Sequence, residues 1–224
     1  MRRHIAKLNF NGDPNLGLFT IPTEEFCIVG NTVMKKDRSE IEEIMGARTI
    51  EASIANSELV GLFSTANSNG IALPRNSLEK EVRFFKKIGL NVFVSPLKQT
   101  ALGNLTLLND NGCIIPKEMA KIKKDLENCF CVPVEIGTVA KLSIVGSCAF
   151  ATNKGIVAHI NCTLEEMELL ESVLKVKGDI GTLNFGSPYV GASLIANSKG
   201  FIISQETTGP ELQRVDEALG FLEV

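Results

Sequence analysis

The reactive inventory of this 224-residue chain is short: two histidines and six cysteines. His159 and Cys162 lie three residues apart, His4 stands near the start, and "CFC" spans 129–131. An imidazole can serve as a general base, and a thiol becomes a nucleophile when a base activates it. Neither histidine has a sequence partner that would orient it, and a lone histidine is more often structural. "CFC" would point two thiols to one side of a strand, yet no second thiol or imidazole pair has metal-ligand spacing, so no metal is expected. Walker, GxSxG and dinucleotide signatures are absent. "GTLNFG" (181–186) is punctuated by glycine, but no helix start follows it to cradle a phosphate. No catalytic set assembles, and neither an enzyme nor a cofactor is expected.

Composition narrows the alternatives. Apolar residues make up 44% of the chain and charged ones 22%, the balance of an ordinary globule. A net charge of −3 argues against a protein that lives by gripping nucleic-acid phosphate, or one that encircles a strand or binds DNA. Lys121, Lys123 and Lys124 form a local basic strip that reads as a solvated helix face. The opening "MRRHIAKLNFNGDPN" has no apolar stretch of signal-peptide length, and no window approaches the ~20 apolar residues of a membrane span. The cysteines therefore read as reduced thiols and the location as cytoplasmic.

The elements that would position any site come from a repeat. "ALGNLTLLNDNG" (101–112), "IVGSCAFATNKG" (144–155) and "YVGASLIANSKG" (189–200) share one grammar, joined by "LVGLFSTANSNG" (59–70) and, more faintly, "NLGLFTIPTEEF" (15–26). Their first glycines, Gly17, Gly61, Gly103, Gly146 and Gly191, are spaced by 44, 42, 43 and 45 residues. A period of this length signals a repeat architecture. Ten residues on sit Cys27, Ile71, Cys113, Ile156 and Phe201, which marks Cys27 and Cys113 as small core residues, and Cys148 reads the same way. A second glycine falls nine after the first, except that Phe26 replaces it in the first unit.

Each unit reads as ββαβ. In the second, "LVGLFSTA" (59–66) is a strand, "NSNG" a hairpin turn whose glycine supplies positive φ, "IALP" a second strand and "NVFVSPL" (91–97) a third. Between them Leu78, Val82, Phe85 and Ile88 recur at helical spacing. Helices are expected at 37–45, 76–88, 117–129, 163–174 and 209–221, with capping boxes at Thr163/Glu166 and Thr208/Glu211. The units run 15–58, 59–100, 101–143, 144–188 and 189–224. The last lacks a third strand, and "RHIAKLNF" (3–10) stands where it would complete it, latching the ends into one ring-shaped domain, 1–224. Just after the first glycines stand Leu18, Leu62, Asn104, Ser147 and Ala192. Asn104 is an amide where two units have leucine, and it reads either as a cap on a turn or as a partner contact.

The stretches "TALGN" (100–104), "LVGLFSTANSNGIALP" (59–74), "VEIGTVA" (134–140), "VGSCAFATNKG" (145–155) and "TTGPEL" (207–212) resemble the translation initiation factor 6 family, in its archaeal form without the eukaryotic C-terminal tail. The resemblance covers essentially the whole chain. It implies the pentein fold, a five-fold pseudosymmetric α/β propeller of ββαβ-type repeats. It also implies binding as a monomer to the intersubunit face of the large ribosomal subunit, chiefly to an L14-type protein near an L24-type protein and the sarcin–ricin loop. Joining of the small subunit would thereby be blocked. Eukaryotic relatives also accompany large-subunit maturation and are evicted by a GTPase of the elongation-factor-2 type. Carried over by position, Gly103 and Asn104 fall in the ribosome-facing surface. Leu62 and Cys148 occupy contact places where the family can carry Arg and Tyr, so their chemistry departs. Penteins also include enzymes that attack guanidino substrates with a cysteine, histidine and carboxylates around the central channel. His159 and Cys162 do not match that arrangement.

Overall fold

The computed structural model describes residues 3–222; Met1, Arg2, Glu223 and Val224, which the outermost units include, lie outside the described residues. Five three-stranded sheets follow one another along the chain. Blade 1 holds Thr20–Pro22, Phe26–Gly30 and Arg48–Ala52. Blade 2 holds Thr65–Ala66, Gly70–Leu73 and Asn91–Val94. Blade 3 holds Leu107–Leu108, Cys113–Ile115 and Val134–Ile136, and blade 4 holds Ala149–Ala151, Ile156–His159 and Gly178–Gly181. In blade 5, Ile195–Asn197 and Gly200–Ser204 are completed by the N-terminal strand Ile5–Leu8. In every blade the first two strands are antiparallel and the third runs parallel to the second; in blades 1 to 4 a helical crossover joins them, and in blade 5 the N-terminal strand takes the third place. This is the five-bladed α/β propeller of the pentein fold.

The crossover helices ring the outside: Lys35–Met45, Glu79–Lys87, Lys123–Phe130, Leu164–Leu174 and Gly209–Ala218. The blade-3 helix is entered through a 3-10 stretch, Lys117–Ile122. Both capping boxes form, with the Thr163 and Thr208 hydroxyls accepting from the Glu166 and Glu211 N–H groups. Each helix buries one apolar stripe against the sheets, as Leu170, Val173 and Leu174 do in blade 4. Cys27 and Cys113 are fully buried, as the repeat register requires.

Three expectations need correcting. The stretch 59–66 is not one strand: Val60–Phe63 is a single helical turn, and only Thr65–Ala66 pairs in the sheet. The same turn recurs at Leu16–Leu18, Leu102–Leu105, Val145–Cys148 and Val190–Ser193. Second, the later glycines of the phrase do not supply positive φ; Gly70, Gly112, Gly155 and Gly200 are absent from the left-handed residues. They are small because a neighbouring helix end presses on them. A Cβ on Gly70 would overlap the Cys129 carbonyl, one on Gly112 that of Val173, and one on Gly155 that of Ala218. Third, "CFC" is not a strand. Cys129 and Phe130 end a helix, and Cys131 is its left-handed cap, so the two thiols face different surroundings, one buried and one exposed.

The single turns explain the first glycines. A Cβ on Gly61 would overlap the carbonyl oxygen of Gly17, one on Gly103 that of Gly61, one on Gly146 that of Gly103, and one on Gly191 that of Gly146. One on Gly17 would overlap the carbonyl of Gly191. The relation returns to its start, which is ring closure at the level of single atoms. Around the outside, Asn67, Asn109 and Asn197 donate side-chain N–H to the last carbonyls of the next blade's helix, at Phe130 (2.9 Å), Leu174 (2.9 Å) and Met45 (3.0 Å). The two ends of the chain are latched as well. His4 Nε2 lies 3.0 Å from buried Asp216 Oδ1, and its ring stacks on Phe221 at 5.1 Å.

Gly103→Ala should therefore force the ring apart locally and cost about 3 kcal/mol or more, as overpacking at an unyielding backbone does. For a chain of this size that is a fall in Tm of roughly 6–12 °C. Gly209→Ala, where nothing lies within 4 Å of the added carbon, should leave Tm unchanged or slightly raised. Scanning calorimetry of both variants checks the contrast.

Candidate partner-binding face

The five single turns gather at one mouth of the axial channel, on the side where the parallel strands end. A cavity of about 90 Å³ lies on the axis, bounded by the glycines and by Leu18, Asn104, Thr106 and Ser147. Asn104 is half-buried in the turn Leu102–Leu105, and its amide makes no hydrogen bond to any described residue. It caps nothing. Thr106, buried beside it, has a hydroxyl without a partner among the described residues. Leu62 is half-buried in the equivalent turn of blade 2, and Gly103 is part of the ring itself. Cys148 is different. It is fully buried in the blade-4 core with Ala149 and Leu170, so this position offers no surface to a partner.

Loops around this mouth are held rigidly by three carboxylates. Glu81 accepts the N–H groups of Ala55 (2.9 Å), Asn56 (3.0 Å) and Leu78 (2.8 Å). Glu166 accepts those of Ala140 (2.9 Å), Lys141 (2.8 Å) and Thr163 (3.0 Å), plus the Thr138 hydroxyl (2.6 Å). Glu211 does the same for Phe185, Gly186 and Thr208. The loop residues so held, such as Asn56, Lys141 and Phe185, are left-handed, a conformation that costs free energy unless the surroundings fix it. Each carboxylate is thus both the cap of its own helix and the anchor of the loop that enters its blade.

Sequence reasoning found Glu166 and Glu211 as caps but missed their second role, and it missed Glu81, whose helix has Leu78 in place of a capping hydroxyl. A signal was available. A carboxylate stands twenty residues after the first glycine in four units, as Asp37, Glu81, Glu166 and Glu211, and Lys123 occupies the place in blade 3. Asp37 holds no loop in this way; its buried Oδ2 has no partner among the described residues, and burial raises its pKa.

The thiol chemistry weighed above finds no geometry. His159 Nδ1 accepts the Asn161 N–H at 3.0 Å, and the Cys162 sulfur donates to the Thr163 carbonyl. Burial, helped by the Glu166 charge, pushes the Cys162 thiol up to about 11, so it is not a thiolate near neutral pH. No group of three or more metal-ligating side chains forms among the described residues. Nor is any described helix long and apolar enough to cross a membrane.

A family model described as the eIF-6 family matches residues 5–218. The chain belongs to the eIF-6 family. It is 40% identical to the translation initiation factor 6 of Methanocaldococcus jannaschii, over 97% of this chain and 99% of that relative. It is 37% identical to that of Pyrococcus abyssi and 35% to that of Saccharolobus islandicus, again over nearly the full length of both chains.

Two of the anchoring carboxylates, Glu166 and Glu211, make the face sensitive to acid. Burial pushes Glu166 up, but the Thr138 hydroxyl and the N–H groups of Thr163, Lys141 and Ala140 outweigh it and hold the group below its ordinary 4.5. Glu211 behaves alike, burial being outweighed by bonds from Thr208, Gly186 and Thr182. Folded-state values below the unfolded ones give stability that is complete above pH 4.5 and is lost as pH falls through the folded values. Glu166→Gln should cost about 1–3 kcal/mol at pH 7, because an amide leaves buried donors unmatched. It should also flatten the decline of Tm between pH 5 and pH 3, which melts at both pH values for both proteins will show.

Proposed function

We propose that the protein binds the large ribosomal subunit on its intersubunit face and keeps the small subunit from joining. Its main handle would be a basic ribosomal protein of the L14 type, near an L24-type protein and the sarcin–ricin loop. It would act as a monomer in the cytoplasm, as a translation initiation factor without a cofactor. The observation that carries this reading is the Asn104 amide, which sits at the rim of the glycine ring with no internal partner. A polar group without a bond inside its own fold is available to bond elsewhere at no cost to that fold. Membership of the eIF-6 family, through relatives named as translation initiation factors, supports the class of partner.

The mechanism is steric. An interface of ordinary size, about 800 Å² per partner, would hold the ring in place. Its blades cannot separate without breaking the glycine contacts, so an incoming subunit would meet a body that does not yield. Leu62 and Gly103 belong to the same surface, while Cys148 serves it only from beneath.

Purified subunits sedimented through sucrose with and without the protein test this. The expected result is a loss of joined particles, with the protein travelling on the larger subunit. Asn104→Arg should weaken that binding by about tenfold, the size of a central interface position, without changing Tm. Undiminished joining, or a variant that binds as the wild type does, would overturn the reading.

A further inference from the structure

Charge is distributed unevenly around the ring. Residues 59–100 carry six cations, Arg75, Lys80, Arg83, Lys86, Lys87 and Lys98, against Glu79 and Glu81, in a chain whose net charge is −3. All six cations are exposed. Glu81 is buried and occupied by loop N–H groups, and Glu79 reaches only Arg83, at 3.6 Å. The other five cations have no carboxylate within ion-pair distance among the described residues. The Lys121–Lys124 strip differs, since Lys123 there is bonded to Glu135 at 3.1 Å.

A cleft lies beside this basic helix. It measures about 290 Å³, and it separates Lys80 and Phe84 of the blade-2 helix from Asn31, Glu51 and Ser53 of blade 1. Phe84 is 37% exposed, and the Asn31 amide is exposed with no bond to a described residue. Lys80, Arg83, Phe84 and Lys87 recur at i, i+3, i+4 and i+7, so they line one face over a rise of about 10 Å.

We propose that this helix and cleft bind single-stranded RNA. Lys80, Arg83 and Lys87 hold successive phosphates, and one unstacked base enters the cleft against Phe84, with the Asn31 amide at its edge. Cations interleaved with an exposed aromatic are the means by which proteins hold unpaired RNA, because every base has a face to stack and an edge to bond. A duplex offers no free base to the cleft. That the RNA is ribosomal rests on the function proposed above; the chemistry of the site does not.

Two arms test it. A fluorescein-labelled 12-nucleotide single strand and the matching duplex are titrated into the full chain over a range of salt. The triple variant K80A/R83A/K87A should lower the steepness of log K against log salt by about 2, at ~0.7 per phosphate for single strands. Phe84→Ala should lose about tenfold in single-strand affinity, and Phe84→Tyr, which keeps the stack, should retain it. In the second arm, benzoylphenylalanine replaces Phe84 and the protein is irradiated on purified large subunits, where cross-links to ribosomal RNA are expected. Equal salt slopes, a preference for duplex, or cross-links to ribosomal protein alone would overturn the site. Failure of the wild type to travel with the subunit would instead overturn the parent function and leave the titration to decide the site.

Discussion

Five backbone contacts hold this molecule in its shape. At each, the α-carbon of a glycine stands against the carbonyl of the glycine one blade before, and the fifth contact returns to the first. No other residue fits, because even a methyl group would overlap a backbone oxygen that the two flanking blades fix in position. The single helical turns follow from this, since a tight turn is what brings five backbones to one axis. So does the channel, whose bore is what remains after the turns have met.

The closed ring converts local order into a rigid face. Loops that enter each blade carry left-handed residues that would be costly alone. Three of them are held by a glutamate that also caps its helix, so one carboxylate satisfies the helix start and the loop together. A face built in this way keeps its shape when a partner docks, and little ordering entropy is lost on binding. That suits a protein whose proposed task is to occupy space.

Departures from five-fold symmetry are where the blades become individual. Phe26 stands in blade 1 where the other blades have glycine, and it packs in one cluster with Phe85 of the blade-2 helix. Asp37 in place of glutamate leaves a buried oxygen unpaired in blade 1. Lys123 stands at the equivalent place in blade 3 and turns outward to Glu135. Asn104 in place of leucine puts an unsatisfied amide at the channel mouth. The shared residues make the ring, and the exceptions are what a partner could tell apart.

The period of 42 to 45 residues, the blade count, the helices and the joining of the two termini were legible in the sequence, because glycine and apolar registers repeat at fixed offsets and local propensity agrees with them. The carboxylate at the twentieth place was equally written there, but its meaning was not. What the tertiary structure alone decided was why the small residues are small. A glycine needed for a turn and a glycine needed because another blade's backbone arrives at its α-carbon are identical in sequence, and only the assembled ring separates them. The same holds for Asn104. As a residue type it reads equally as a turn cap or as a partner contact, and only the folded turn leaves its amide at the channel without an internal bond, an arrangement that exists only once five blades enclose an axis.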